Sequence, residues 1–172
     1  LIPRSLSHIF KVITSRPQMA YNIRLSFLEI YNETFRDLLD DAQSNSANAT
    51  NGQREYELTV QEDAKTGSVV VRGLRQVLVR NEEEALNCLF VGEMNRTIAE
   101  HQLNDASTRS HCILTAHIES RSLVESDEKI RYSKLNLVDL AGSERVSKTQ
   151  SSGTVLNEAK YINKSLTFLE QV

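Results

Sequence analysis

The sequence predicts a three-layer α/β domain around a mainly parallel sheet. Three observations lead there. Apolar residues recur at helical spacing in three separate segments, and Val- and Leu-rich runs lie between them. One such run, with Leu135, Leu137 and Val138, is continuous enough to suit a central strand covered on both faces.

The elements follow in order. Ile2, Leu6, Ile9, Phe10 and Ile13 form a helical stripe behind Pro3, which suits a first helical turn. A turn at Arg16-Pro17 precedes a strand through Ile23, Leu25, Phe27 and on to Tyr31, and Phe35 to Asp40 is expected to close a short helical turn. From Asp41 to Gln53 no apolar residue exceeds alanine in size, so a mobile surface loop is expected. Glu57–Val60 and Val69–Val79 predict a strand pair around a turn at Ala64 to Gly67. Asn81 and Glu84 have the spacing of a capping box, ahead of a helix carrying Ala85, Leu86, Leu89, Phe90 and Met94 to about Ile98. Cys112–Ile118 and Lys134–Leu140 complete the strands. A last apolar stripe, Val155, Ala159, Ile162, Leu166 and Leu169, runs on to Val172 without a Gly or Pro stop, and Leu1 has nothing before it to cap the first helix. A piece truncated at both ends is expected.

Composition narrows the partners. The chain has 172 residues, 40% apolar and 25% charged, values ordinary for one soluble globular domain. A net charge of -3 argues against wholesale attraction to nucleic acid or another polyanion, so an acidic partner must be met by a local basic patch. No apolar run has the length of a membrane span, and no membrane partner is expected. Cys88 and Cys112 are far apart without metal-ligand spacing, which suits two packed thiols in a reducing cytosol.

Two polar constellations carry chemistry. In Lys134 to Glu144 an apolar strand delivers Asp139 at its carboxyl end, and the small-residue turn Ala141-Gly142-Ser143 follows. Nucleotide hydrolases place a carboxylate near Mg²⁺ in this way, and a glycine N–H can approach a terminal phosphate closely. A structural strand edge capped by a turn is the competing reading. Asn104 to His111 packs hydroxyls and the forked cation of Arg109 just before a strand, donors suited to Mg²⁺ and phosphate oxygens, although a polar loop of Asx and Ser/Thr turns has the same composition. His8, His101 and His117 have no second ligand beside them and suit surface or core positions; only His111 lies in a motif.

In this order the segments resemble a kinesin. Asn104 to His111 matches the first switch pattern NxxSSRSH with Thr108 for the second Ser, and Asp139 to Glu144 is the second switch, DLAGSE, in full. Asn157 to Leu166 is similar to the relay helix that follows in these motors. The resemblance implies the α-β-α P-loop NTPase fold and a microtubule-stimulated ATPase using ATP and Mg²⁺. It implies that Asn104, Ser107, Thr108 and Ser110 lie on the nucleotide side. Thr108 and, through water, Asp139 would hold the metal. Gly142 would sense the γ-phosphate, and Arg109 and Glu144 would close the site as a salt bridge. Tubulin would be met by Arg145, Lys148, Lys160 and Lys164, with Lys65 near a second contact loop. Thr34 stands where many kinesins carry a basic residue, a departure that by the resemblance would weaken that contact.

No GxxxxGK[ST] phosphate loop occurs in the sequence, so this stretch supplies the sensors without the main anchor and is expected to be inactive alone. A kinesin-like module that grips microtubules without hydrolysis is the alternative, and another P-loop enzyme with no cytoskeletal role is a third reading. The phrases Ser107 to Cys112 and Leu166 to Gln171 are most similar to the kinesins of cilia and flagella, which implies a place on cytoplasmic, cytoskeletal or ciliary microtubules.

Overall fold

The computed structural model describes residues 1–40, 58–64, 67–103, 110–124 and 129–142. The expected loop from Asp41 to Gln53 and the stripe from Val155 to Leu169 lie outside these residues. The elements are α1 (Ile2–Thr14), β1 (Met19–Tyr31), β2 (Thr34–Asp37), β3 (Thr59–Glu62), β4 (Val69–Arg72), β5 (Val77–Val79), α2 (Glu82–Leu103), β6 (His111–Ser122) and β7 (Arg131–Asp139).

The long strand β1 organises the sheet. It pairs with β6 along nearly its full length, from Met19 opposite Ser122 to Ile30 opposite His111. Its other edge carries β5 against Ile23 to Leu25 and β2 against Leu28 to Tyr31. Strand β7 pairs with the far edge of β6, while β3 and β4 form a separate hairpin. Because side chains alternate along a strand, Ile23, Leu25 and Phe27 share a face with Leu114 and Ala116. That face meets Leu6 of α1 and Ala85 of α2 in the buried core, and the predicted stripe Ile2, Ile9, Phe10 and Ile13 packs around it.

The expected mainly parallel sheet is not observed: every strand pair described is antiparallel. The alternation of helix and strand that prompted the expectation is real. Strands β5 and β6 flank β1 on opposite sides, both antiparallel to it, so they run the same way and α2 is the crossover between them. The intervening β1 breaks the parallel order. The β1–β2 and β6–β7 connections, residues 32–33 and 123–130, are short enough for antiparallel return.

Three local expectations change as well. Phe35 to Asp37 is strand and not helical turn, because Asn32 and Glu33 both take positive φ (49° and 60°) and make the tight reversal of a two-residue hairpin. Arg36 then lies opposite Glu29 and bonds its buried carboxylate at 3.0 Å. Val69–Val79 divides at Gly73, so that β4 pairs with β3 but β5 joins β1. Strand β7 is mostly exposed, with Val138 54% accessible, and not buried on both faces.

Helix α2 begins at the predicted box: Asn81 Oδ1 accepts the Glu84 N–H at 2.8 Å, and Glu84 reaches back to the Arg80 N–H at 2.8 Å. Its inward stripe keeps the expected Ala85, Leu86 and Leu89 and adds Cys88 and Gly92, leaving Phe90 and Met94 exposed. Gly92 decides this. A Cβ there would collide with the ring of Phe27, which is fully buried and has nowhere to go.

Gly92→Ala tests this contact. Overpacking a core costs roughly 1–3 kcal/mol, against the ~1 kcal/mol that alanine gains over glycine in a helix. The variant is expected to have a lower urea midpoint than the parent. An equal or higher midpoint would show that α2 can lift off β1 freely.

Candidate functional site

The register of β6 against β7 sets Cys112 opposite Asp139. This brings the end of the first polar constellation, Ser110 and His111, beside the segment that follows β7. Of the residues singled out in the sequence, Ser110, Asp139 and Gly142 fall among those described; Asn104, Ser107, Thr108, Arg109, Glu144, Arg145, Lys148, Lys160, Lys164 and Lys65 lie outside them.

His111 ties the two segments. Its Nδ1 accepts the backbone N–H of Ala141 at 3.0 Å. An acceptor nitrogen carries no proton, so the ring proton sits on Nε2 while this bond is made. Burial pushes the His111 pKa below its ordinary value, because the charged ring would lose hydration. Protonation would also place a donor against a donor.

Asp139 is reached from a third element. Arg96, on α2, extends its guanidinium to Asp139 at 3.6 Å and to Glu93 at 4.0 Å. The Arg96 side chain is only 13% exposed whereas that of Asp139 is 63% exposed. An ion pair so open to water is worth at most about 1 kcal/mol, so it orients the carboxylate more than it stabilises the fold. Below it lies Cys112, whose thiol is pushed up to about 12, mainly by burial. Arg96 acts in the opposite direction, and Glu29, Glu93 and Asp139 add to the rise. Cys112 is a packed, unreactive thiol, as the sequence suggested.

Ser110 is buried, and among the described residues its Oγ has no hydrogen-bond partner. A lone buried hydroxyl costs roughly 1–3 kcal/mol of desolvation, a cost expected where the group serves a ligand. Ser110 and the open carboxylate of Asp139 are both hard oxygen donors, the type Mg²⁺ takes. No group of three or more His, Cys, Asp or Glu gathers among the described residues. Two hollows, of about 240 and 530 Å³, lie at the other end of the sheet around Tyr21, Ser120 and Arg131 and touch none of these groups.

Arg96 and the acceptor role of His111 were missed in the sequence. A signal for Arg96 was present: it continues the step Ala85, Leu89, Gly92 on the inward side of α2, where a lone arginine needs a partner. Nothing in the sequence shows that Ala141 meets His111, because that contact depends on register.

The model of the kinesin motor domain family matches residues 1–172. Among curated proteins, mouse kinesin-like protein KIF9 is 48% identical over 99% of this chain and 21% of its own length. Kinesin-like protein KLP1 of Chlamydomonas reinhardtii is 47% identical over the same shares. The chain thus spans about a fifth of the length of these relatives. Among solved structures, the C-terminal motor and motor homology domain of Kar3Vik1 superposes with a TM-score of 0.78 at 32% identity, over 98% of this chain and 40% of that one. The structure of a fast kinesin gives 0.75 at 34% identity, over 95% and 42%.

The geometry predicts a pH dependence. A folded pKa below the unfolded one gives stability that is fully present above the ordinary histidine value of 6.5 and is lost as pH falls below it. His117 is shifted the same way by burial, Lys134 and Arg24. Urea midpoints should therefore be flat above pH 6.5 and decline toward pH 5. His111→Asn, whose amide oxygen can take the Ala141 N–H without titrating, should flatten part of that decline. An unchanged slope would remove His111 from the account.

Proposed function

The chain belongs to the kinesin motor domain family, and from that premise we propose that it is the nucleotide-sensing part of a microtubule-based, ATP-driven motor. The observation that supports this most directly is the junction of the two polar constellations through the His111 to Ala141 bond and the Cys112 to Asp139 register. A sensor of the γ-phosphate needs two segments that touch each other, so that a change at one is felt at the other.

In this reading Asp139 and Thr108 serve Mg²⁺, Asp139 through water, and Mg²⁺ supplies charge neutralisation at the β- and γ-phosphates. Asn104, Ser107 and Ser110 offer donors to the nucleotide, and the Oγ of Ser110, without a partner among the described residues, is suited to that use. The Gly142 N–H senses the terminal phosphate. Arg109 and Glu144 close the two segments as an ion pair. The sequence holds no GxxxxGK[ST] motif, so tight ATP binding and turnover require a phosphate loop in addition to this stretch.

Tubulin is the partner proposed, met by Arg145, Lys148, Lys160 and Lys164, with Lys65, between β3 and β4 in sequence, near a second contact loop. An acidic filament draws local cations despite the overall charge of -3. Likeness to KIF9 and KLP1 accompanies the subfamily phrases around Ser110 and Leu166, and a ciliary or flagellar microtubule is the finer location proposed.

The latch is tested in the intact motor. Ground-state binding comes mainly from the phosphate loop and Mg²⁺, whereas closure is needed for the chemical step. Glu144→Ala is expected to lower steady-state ATP turnover roughly 10²-fold while leaving ATP affinity nearly intact. Arg109→Ala should match it, and the double variant should be little worse than either. Additive losses, or collapsed ATP affinity with normal turnover at saturation, would refute the pairing. If the parent binds microtubules in co-sedimentation but never hydrolyses ATP, the non-hydrolysing module replaces the motor.

A further inference from the structure

Two adjacent side chains of α2 reach in different directions. Asn95 Nδ2 donates to the backbone carbonyl of Leu38 at 2.7 Å, and Arg96 crosses to Asp139. The carbonyl that Asn95 grips is unusually well fixed. Leu38 is fully buried, and its N–H donates to the Phe27 carbonyl at 2.9 Å. The next residue, Leu39, donates its N–H to Asp37 Oδ1 at 2.9 Å and accepts from Arg75 Nη1 at 3.0 Å. Asp37 Oδ2 takes the Arg75 N–H at 2.7 Å, closing the cluster. Burial pushes the Asp37 pKa up, and the two N–H donors oppose the rise, as they do when they solvate a carboxylate in place of water.

Asn95 and Arg96 are about 100° apart around the helix axis. Gly92 fixes how closely α2 approaches β1, but a close contact at one point leaves the helix free to roll. A hydrogen bond to an immobile carbonyl one turn further along removes that freedom. It also sets where the root of the Arg96 side chain stands relative to Asp139.

We propose that Asn95 is a positioning residue for the switch site: by gripping the Leu38 carbonyl it holds α2 at the rotation from which Arg96 reaches Asp139, and so sets the resting place of the segment from Asp139 to Gly142. The functional consequence rests on the reading of Asp139 as the metal-side carboxylate; the mechanical consequence does not. Asn95 makes this contact away from the nucleotide-side groups and acts only through Arg96. The turn at 37–39, held to α2 by Asn95 and to the segment before β5 by Arg75, then becomes the fixed frame against which the site is set.

Amide hydrogen exchange of the intact motor, free of nucleotide and metal, separates positioning from plain stabilisation. Asn95→Ala should speed exchange at residues 139–142 as well as near Leu38, with Arg96→Ala speeding it at 139–142 alone. The double variant should exchange there no faster than the faster single variant. Should the alanine variant unfold, Asn95→Asp keeps the side-chain shape, removes the donor, and is expected to give the same pattern. Faster exchange confined to Leu38 and its surroundings, or additive effects at 139–142, would overturn the proposal. Steady-state turnover forms the second arm. A roughly tenfold loss is expected for Asn95→Ala, the low end for groups that orient a metal-side ligand. If exchange follows the expected pattern while Arg96→Ala leaves turnover and the Mg²⁺ requirement unchanged, positioning stands and the metal-side reading of Asp139 falls. If Arg96→Ala impairs both but Asn95→Ala leaves residues 139–142 undisturbed, positioning falls alone.

Discussion

The antiparallel ladder between β1 and β6 is the constraint on which the rest depends. It runs from Met19 opposite Ser122 to Ile30 opposite His111 and decides which residues of both strands face the helices. Side chains alternate with period two, so a slip of β6 by one residue would turn Leu114 and Ala116 away from the core formed with Leu25 and Phe27. The same slip would carry His111 away from Ala141 and displace β7, whose pairing with β6 begins at Cys112. The hydrophobic pattern thus holds the core together and, through one shared strand, holds the two halves of the site in register.

Helix α2 converts this sheet geometry into site geometry. It touches the ladder at a glycine because only a residue without Cβ lets the helix lie on Phe27. The close approach shortens the reach needed from later positions on the same side, and the following turn of helix carries the polar groups: Asn95 toward Leu38 and Arg96 toward Asp139. A helix held by bulkier residues would stand further off and could not make both contacts from neighbouring positions. Burying polar side chains where a helix would ordinarily bury leucine lowers the hydrophobic gain, which fits an element retained for placement more than for stability.

The parts readable in the sequence were those governed by local periodicity. The stripe of α1, the box at Asn81 and Glu84, and the strand from Ile23 to Tyr31 all form as their spacing implies. What escaped was set by pairing at a distance. The hairpin at Asn32-Glu33 has no glycine to announce it, so Phe35 to Asp37 resembled a helical turn until its partner strand was known. The run Leu135 to Val138 looked like a doubly covered strand because apolar content alone does not say which neighbours arrive. Gly92 and Asn95 interrupt the apolar pattern of α2, and the pattern therefore pointed to Phe90 and Met94 on the wrong side. The motifs at Ser110 and Asp139 were visible as sequence, but their contact is a property of the β6–β7 register.

The bonds that join the two site segments are individually modest, and this matters for what the site can do. A neutral hydrogen bond such as that between Ala141 and His111 contributes roughly 0.5–1.5 kcal/mol net, and the solvent-open pair of Arg96 and Asp139 contributes about 1 kcal/mol or less. Together they favour one arrangement by an amount that a ligand can overcome. Reversing a two-state balance from 1:99 to 99:1 takes about 5.5 kcal/mol of differential binding. Contacts from a phosphate and a metal to charged and polar groups are of that order. The buried ladder below, by contrast, could not be exchanged for another register without exposing the core. A rigid sheet carrying weakly latched segments at one edge is therefore suited to letting a ligand at that edge shift a segment without unfolding the domain beneath it.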